Sequence, residues 1–211
     1  MSRRALYWGN VPVPYATLWS AEEGMHVAAC QYANGLTALC QASRRGQGKP
    51  VFGKPHMVRQ REVISLSLCD LCARPLRNTT RVSLSHARVQ PHGAEGPAVL
   101  QVEPMLHRQC AAISMQHCPS LRRDIAAGTL HIRQVLRSRA QLAIMTPEAV
   151  EEFTGTPRSG VIGHAKIELL EWRDRELEWL GSPAVQPDIH QPAAREEVAN
   201  GCWEKEGGDC G

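Results

Sequence analysis

The most constraining feature of this sequence is a pair of short motifs that both offer metal ligands. Cys69-Asp-Leu-Cys72 places two thiols three residues apart, and His107-Arg-Gln-Cys110 places an imidazole and a thiol at the same spacing. A Cys-x-x-Cys turn directs both sulfurs at one point, and residues i and i+3 on a helix share a face. Zinc favours four such ligands in a tetrahedron. The sequence therefore predicts one zinc ion bound by Cys69, Cys72, His107 and Cys110.

Two alternatives compete with this metal site. The four residues could be ordinary buried side chains, or Cys69 and Cys72 could form a redox pair of the thioredoxin type. The redox interpretation is disfavoured, because the sequence after Cys72 (Ala-Arg-Pro-Leu) does not continue as a helix and no βαβ pattern surrounds the pair.

Other cysteines in the second half of the chain are given roles away from the metal. Cys118 lies too far along the predicted helix from His107 to share an ion with it, so it is interpreted as a core residue. Cys202 and Cys210 flank a tryptophan close to the C-terminus. A second metal site or a closed loop is possible for this pair, but free thiols are the favoured interpretation.

The order of segments around the motifs favours an α+β fold built on a treble-clef zinc core. The turn from Cys69 to Cys72, a cysteine knuckle, comes first, and a β-hairpin is predicted from about Arg81 to Val102. A helix from about Leu106 then supplies the last two ligands from its first turn. An N-terminal β-hairpin and a C-terminal αβ extension are predicted to flank this core.

The N-terminal hairpin is predicted from Asn34-Gly35, the dipeptide that best fits a type I′ turn. With a tight turn there, residue 30 faces residue 39 and residue 29 faces residue 40. Cys30 and Cys40 then fall on opposite faces of the hairpin. A disulfide between them is disfavoured, and both are predicted to be small core residues.

The C-terminal extension is predicted from strand patterns and helix signals. A long strand or a strand pair is expected over 129–144 and a further strand over 161–172, with a short last helix over 173–180. Thr146-Pro147 predicts the start of another helix, with Thr as N-cap and Pro at the first helical position, and Gly155 predicts its end.

The domain organisation follows from where these patterns stop. From Ser182 onward no apolar period remains, which predicts a disordered acidic tail over 182–211. Residues 1–181 are expected to form a single zinc-stabilised α+β domain whose metal core covers about 56–125.

Charge is distributed unevenly along the chain. Residues 1–140 carry 18 Lys and Arg against 7 Asp and Glu, a net of +11, whereas residues 141–211 carry 6 against 14, a net of −8. A basic body can present a nucleic-acid-binding face, although a solvated, Arg-rich surface gives the same distribution of charge. The candidate nucleic-acid-binding residues lie in and after a Gly-rich loop from Ser43 to Pro55. They are Arg44, Arg45, Lys49, Lys54, Arg59 and Arg61, joined by Arg77, Arg81 and Arg88.

No catalytic residue is predicted. Three thiolates and one imidazole close the coordination shell of zinc, whereas a hydrolytic zinc keeps an open position for water. The sequence also lacks a P-loop, a dinucleotide-binding glycine motif and a nucleophile elbow. One enzymatic alternative stays open, an HNH-like treble-clef nuclease that would use His86 or His92 in the hairpin region.

Three cysteine-containing segments also stand out together. They are Leu68-Cys-Asp-Leu-Cys-Ala-Arg-Pro-Leu76, Val102-Glu-Pro-Met-Leu-His-Arg-Gln-Cys-Ala111 and His117-Cys-Pro-Ser-Leu121. In this combination the chain resembles a group of small, largely uncharacterised zinc-binding proteins of actinobacterial phages and prophages. The resemblance covers residues 50–125, with a weaker likeness over 161–180. It implies metal binding at the same four positions, a phage or mobile-element origin, and a role in the contest between phage and host.

These observations predict a non-enzymatic, phage-type zinc-binding protein that engages a host or phage macromolecule as a host-defence or host-takeover factor. A nucleic-acid-binding protein is the first alternative. Zn²⁺ is the expected cofactor, with no small-molecule cofactor and no membrane partner. No apolar run approaches the roughly 18 residues that cross a bilayer, and no apolar signal region follows the N-terminal arginines. The cytoplasm of a bacterial host is the expected location.

Overall fold

The computed structural model describes residues 5–91 and 96–181, which fold into an α+β arrangement of short helices around a multi-stranded sheet. The strands are β1 (Leu6–Trp8), β2 (Val11–Val13), β3 (Thr17–Trp19), β4 (Met25–Ala29), β5 (Thr37–Gln41), β6 (Pro50–Pro55), β7 (Arg81–Ser85), β8 (Gln90–Pro91), β9 (Pro97–Gln101), β10 (Leu106–His107), β11 (His131–Ile144) and β12 (Ile162–Arg175). The helices are α1 (Met57–Ser65), α2 (Arg108–His117), α3 (Pro119–Ala126), α4 (Pro147–Thr154) and α5 (Leu177–Gly181). The predicted tail, with Cys202 and Cys210, lies outside the described residues.

A long antiparallel pair, β11 and β12, forms the centre of the main sheet. Each of these strands has 14 residues, and the sheet order is β10-β7-β11-β12-β5-β4, with β9 pairing with β12. Both strands were predicted from the sequence and are confirmed. β12 is longer than predicted, because it continues to Arg175, and the last helix therefore begins only at Leu177. Side chains such as Val82, Ile132 and Leu169 form the main core of this sheet.

The N-terminal hairpin has a longer loop than the sequence predicts. Asn34 and Gly35 adopt the left-handed conformation expected of them, but a 3₁₀ turn over Gln31–Ala33 precedes them. The register therefore shifts by three residues, an odd number, which moves one strand's side chains to the other face. Cys40 pairs with His26, so Cys30 and Cys40 share a face and pack in one cluster. The prediction of opposite faces is wrong, whereas both cysteines are buried free thiols as expected.

The hairpin predicted from about Arg81 to Val102 is not formed as expected. β7 pairs with β11 and β10, while β9 pairs with β12 and with the short β8. The two predicted partners are separated because the β11–β12 pair offers each of them a longer strand to join. Instead, Arg81 and Val82 pair with His107 and Leu106 immediately before α2.

The Gly-rich segment after the first hairpin is only partly a loop. Its second half forms β6, which pairs antiparallel with β3 and carries Pro50 and Pro55 at its ends. This two-stranded sheet is separate from the main one. Proline lacks a backbone N–H and is tolerated at such strand ends, which explains why the proline-flanked sequence still pairs.

Helix α1 completes one edge of β12 through its side chains. β5 pairs with β12 at Ile162 and β9 pairs with it from Ile167, which leaves a gap between them. The Gln60 amide fills this gap by donating to the Ala165 carbonyl at 2.7 Å and accepting from the Ala165 N–H at 3.0 Å. Arg61 donates to the carbonyl oxygens of Gly163 and Leu39, at 2.5 and 2.7 Å. Polar side chains of α1 thus take the place of a missing strand.

The predicted helix boundaries at α4 are confirmed. Thr146 accepts a hydrogen bond from the Ala149 N–H, Pro147 occupies the first helical position, and Gly155 ends the helix with φ +73°. Pro119 follows the end of α2 and begins α3.

Candidate metal centre

The first two ligand candidates lie on a compact turn after α1. Leu68 and Pro75 form a β-bridge, and the Cys69 N–H donates to the Arg74 carbonyl at 2.9 Å. Ala73 adopts a positive φ of +54°, and its N–H donates to the Cys69 carbonyl at 2.8 Å. Such a left-handed residue reverses the chain within a few residues, so both thiols of the turn face the same side.

The other two candidates lie where β10 runs into α2. His107 is the last residue of β10 and the N-cap of α2, and Cys110 is the third residue of the helix. The pairing of Arg81 with His107 fixes where the helix begins. Because i and i+3 share a helix face, this start directs the imidazole and the thiol toward the knuckle.

The four candidate ligand atoms converge on one point. All of them lie within 4.8 Å of one another. His107 Nδ1 is 3.4 Å from the Cys72 sulfur and 3.9 Å from the Cys110 sulfur. A tetrahedral ion with bonds of about 2.0–2.3 Å has ligand–ligand edges of roughly 3.5–3.8 Å, so the spacing fits one ion at the centre. Cys69, Cys72, His107 and Cys110 therefore form a group that could hold a metal ion.

Contacts outside the group orient its members. His107 Nε2 lies 3.0 Å from the Pro75 carbonyl, so an N–H there leaves Nδ1 free to bind a metal. The His107 backbone N–H donates to the Cys69 sulfur at 3.4 Å. Asp70, inside the knuckle, accepts from the Ala16 N–H at 3.1 Å through Oδ1. The knuckle is thereby tied both to the helix and to the N-terminal part of the chain.

The electrostatics of the group favour a thiolate at Cys69. A hydrogen bond from the Cys110 thiol, helped by backbone N–H groups, lowers the pKa of Cys69 to about 5 in spite of its burial. The same hydrogen bond, together with burial, raises the pKa of Cys110. The exposed Arg74 interacts with the Cys72 sulfur by hydrogen bonding and charge, which raises the pKa of the guanidinium. Close packing of the sulfurs is costly without a cation among them, and a divalent ion removes that cost.

The residues predicted to contact nucleic acid separate into two groups. Arg44, Lys49 and Lys54 are exposed. Arg59 and Arg61 are only 3% and 0% exposed, so they do not lie on a surface and that part of the prediction is wrong.

The remaining basic candidates are mostly at the surface. Arg45 is half-buried, with its guanidinium 4.8 Å from the centre of the Tyr15 ring. Arg77 and Arg88 are exposed, and Arg81 is half-buried on β7.

Arg59 instead belongs to a buried ionic network that the sequence did not predict. Both Nη atoms of Arg59 donate to the Glu22 carboxylate at 2.7 Å, and its Nε donates to the Tyr15 carbonyl at 2.9 Å. The Tyr15 hydroxyl donates to Glu62 at 2.8 Å. The sequence gives no local signal for this network, because the residues that bond to one another lie 37 to 47 residues apart.

The two histidines considered for a nuclease are not part of the metal-binding group. His86 follows β7, where Nδ1 lies 3.0 Å from the Thr129 carbonyl and Nε2 lies 3.5 Å from an oxygen of Asp124. Both of its ring nitrogens therefore face acceptors of the protein. His92 lies outside the described residues.

Comparisons with known proteins find no match for this chain among protein families, curated proteins or solved structures. The resemblance to phage and prophage proteins therefore stays a prediction. Among the described residues, no helix is both long enough and apolar enough to cross a membrane.

Proposed function

We propose that this chain is a non-enzymatic zinc-binding protein that engages a host or phage macromolecule. The observation that carries the proposal is the convergence of three thiols and one imidazole within 4.8 Å. Sulfur and imidazole are ligands that zinc prefers, whereas calcium and magnesium require oxygen ligands. Four protein ligands leave no position for water, so the ion has a structural role.

We further propose that the centre is a variant of the treble clef. The chain order supports this proposal, because the knuckle comes first and the start of α2 supplies the last two candidate ligands. The pairing of Arg81–Val82 with Leu106–His107 supplies a short antiparallel pair between them. The long segment that connects the two strands of this pair, which includes β8 and β9, is an insertion.

The proposed ion would hold three segments of the protein together. It would join the knuckle to α2, and through Asp70 it would also fix the segment at Tyr15 and Ala16. Metal binding of this kind contributes on the order of 10 kcal/mol in small zinc-stabilised folds. A partner would then meet a preformed surface, which lowers the entropy cost of binding. The resemblance to phage and prophage proteins supports a partner from the phage or its host.

Cobalt substitution tests whether the coordination shell is closed. Co²⁺ bound by three thiolates and an imidazole is tetrahedral and has intense visible bands that report on its ligands. We expect these bands to stay unchanged when azide or cyanide is added, because no position is open. A spectrum that shifts with added anion would indicate an exchangeable ligand and would favour a catalytic metal instead.

Nucleic-acid binding is the second candidate function, favoured by the exposed Arg44, Lys49, Lys54, Arg77 and Arg88. Binding that depends on phosphate contacts weakens steeply with salt. Anisotropy titrations of labelled DNA and RNA over about a fourfold range of salt, from roughly 50 to 200 mM, separate the two candidates. Affinity that falls at least tenfold over this range supports the second candidate, and no binding at low salt rejects it.

A further inference from the structure

A cleft of about 440 Å³ opens beyond the C-terminal end of β7. It lies between the segment that follows β7, the turn between α3 and β11, and the first residues of β11. Four of its lining side chains are basic groups or imidazoles, and none of its described lining residues is acidic. The four are His86, Arg88, His131 and Arg133.

Strand register explains why two of these side chains meet. His131 and Arg133 are two apart on β11 and so project from the same face of the sheet. Their partners on β7 are Ser85 and Ser83. These serines are buried, whereas the longer side chains of His131 and Arg133 line the cleft.

Arg133 is a buried cation whose positive charge is only weakly balanced by its neighbours. Its side chain is 2% exposed, and burial lowers the pKa of its guanidinium. Nη2 donates to the Ala87 carbonyl at 2.9 Å, whereas the contact from Nη1 to the Ser85 hydroxyl is long, at 3.4 Å. Its carboxylate neighbour, Asp174, lies 3.4 Å from Nε but is 73% exposed, so water screens the pair. An anion bound in the cleft would balance the positive charge of Arg133.

Two further groups in the cleft are available to a ligand. Within the described part of the chain, neither Arg88 nor the His131 imidazole has a hydrogen bond or ion pair. His86 is different, because Thr129 and Asp124 already engage its nitrogens. His86 therefore shapes the wall of the cleft, while Arg88, His131 and Arg133 supply donors.

We propose that this cleft binds a phosphate group, carried either by a free nucleotide or by the backbone of a single-stranded nucleic acid. The planar guanidinium groups match the geometry of phosphate oxygens and bind them with two parallel hydrogen bonds. A volume of about 440 Å³ is that of a small-molecule site and accommodates more than the phosphate alone. The cleft contains none of the candidate metal ligands, so this proposal does not depend on the proposed structural zinc.

The test is an NMR titration of the full-length, zinc-loaded chain at constant ionic strength. The probes are inorganic phosphate, a nucleoside monophosphate, and short single-stranded DNA and RNA, with chloride as the reference anion. We expect saturable amide shifts confined to residues 86–91 and 128–133. The Arg88→Ala variant should bind phosphate about tenfold more weakly, the loss of one charge-assisted hydrogen bond. Arg88 is chosen for substitution because its side chain is exposed, so its replacement should leave the fold intact.

Arg158→Ala is the matched control. Arg158 is also exposed, but it lies between α4 and β12, beside β4 at the far edge of the sheet, so its removal should leave the affinity unchanged. Saturation by phosphate and nucleotide alone assigns the site to a free ligand, and tighter binding of oligonucleotides assigns it to nucleic acid. The proposal is overturned if no probe shifts the cleft residues, or if Arg88→Ala and Arg158→Ala weaken binding equally. Zinc content measured on the same samples keeps this result separate from the metal proposal.

Discussion

The metal centre and the polar side of α1 hold the same fold together, yet their residues find one another differently. The metal ligands come as two pairs with a spacing of three residues, and each pair is positioned by its own turn or helix end. The contacts of Arg59, Gln60 and Arg61 instead reach partners 21 to 105 residues away. The first region is visible in the sequence because its chemistry is local. The second is not, because nothing near α1 in the sequence reveals which backbone groups need its side chains.

The two regions meet at the N-terminal segment around Tyr15. The Tyr15 N–H donates to the Asp70 carbonyl in the metal knuckle at 2.5 Å, and the Tyr15 carbonyl accepts from Arg59 at 2.9 Å. Damage to either region therefore loosens the same segment. The comparison can be tested by removing one region at a time.

The largest effect is expected from Cys110→Ser. A serine hydroxyl is a poor zinc ligand, so the variant should lose its metal and with it a contribution on the order of 10 kcal/mol. This is comparable to the whole stability of a typical domain, so we expect an unfolded or partly folded chain. Circular dichroism melting curves measure this, with Cys118→Ser as the control because Cys118 lies outside the ligand group. Identical melting curves for the two variants would refute a structural metal.

Arg59→Met should have the next largest effect. It leaves the Glu22 carboxylate buried without its main partner, which typically costs about 3–5 kcal/mol. Urea unfolding measures the loss, and a second change, Glu22→Gln, should recover part of it. Lys54→Met is the matched control, since Lys54 is exposed and should change stability by less than about 0.5 kcal/mol. If Arg59→Met lost nucleic-acid binding at unchanged stability, Arg59 would belong to a binding surface after all.

Acid should weaken the α1 region through His56. Its side chain is fully buried, Nδ1 accepts from the Arg59 N–H, and Nε2 lies 3.3 Å from the Ala42 carbonyl, an arrangement that suits the neutral ring. Burial, followed by the charge of Arg59, lowers the pKa of His56 from 6.5 to about 4. The unfolded chain therefore binds more protons between these values, and stability falls as the pH drops from 6.5 to about 4. The loss is up to about 3 kcal/mol.

His56→Asn isolates this contribution, because asparagine preserves an N-cap but does not titrate. Urea unfolding at several pH values between about 7.5 and 3, which extends roughly a unit beyond each pKa, gives the free energy of unfolding of each protein. The stability advantage of the wild type over the variant should shrink as the pH falls. An advantage that stays constant across the window would show that His56 titrates normally in the folded state.

Gln60→Leu should give the smallest of these effects. It removes the side-chain amide that pairs with both backbone groups of Ala165, at an expected cost of about 2 kcal/mol. Hydrogen exchange at the Ala165 amide should accelerate, because its acceptor is gone. Gln116→Leu on the exposed side of α2 serves as the control. Unchanged exchange at Ala165 would mean that the gap on β12 closes without α1.

Features that depend on neighbouring residues were accessible from the sequence. Thr146, Pro147 and Gly155 each act within one turn of α4, so its start and end could be predicted. The two cysteine-containing motifs were accessible for the same reason, since each fixes the geometry of its own pair of ligands.

Features that depend on competition between distant segments were not accessible. The turn at Asn34 is longer than its sequence suggests, and this shift reverses the relation between Cys30 and Cys40. β7 and β9 separate because each finds a better partner in the β11–β12 pair. Arg59 and Arg61 have the composition of a basic surface, yet buried partners draw them inside. His131 and Arg133 join the cleft only through their register with β7.

The central claim is that Cys69, Cys72, His107 and Cys110 hold one structural zinc ion. Native mass spectrometry of protein purified without chelator tests it most directly, because it counts bound metal per chain and identifies it by mass. We expect one zinc per chain in the wild type and in Cys118→Ser, and none in Cys69→Ser. A wild-type chain that is folded and free of metal, with reactive thiols at Cys69 and Cys72, would contradict the account and leave redox chemistry as the explanation for this pair.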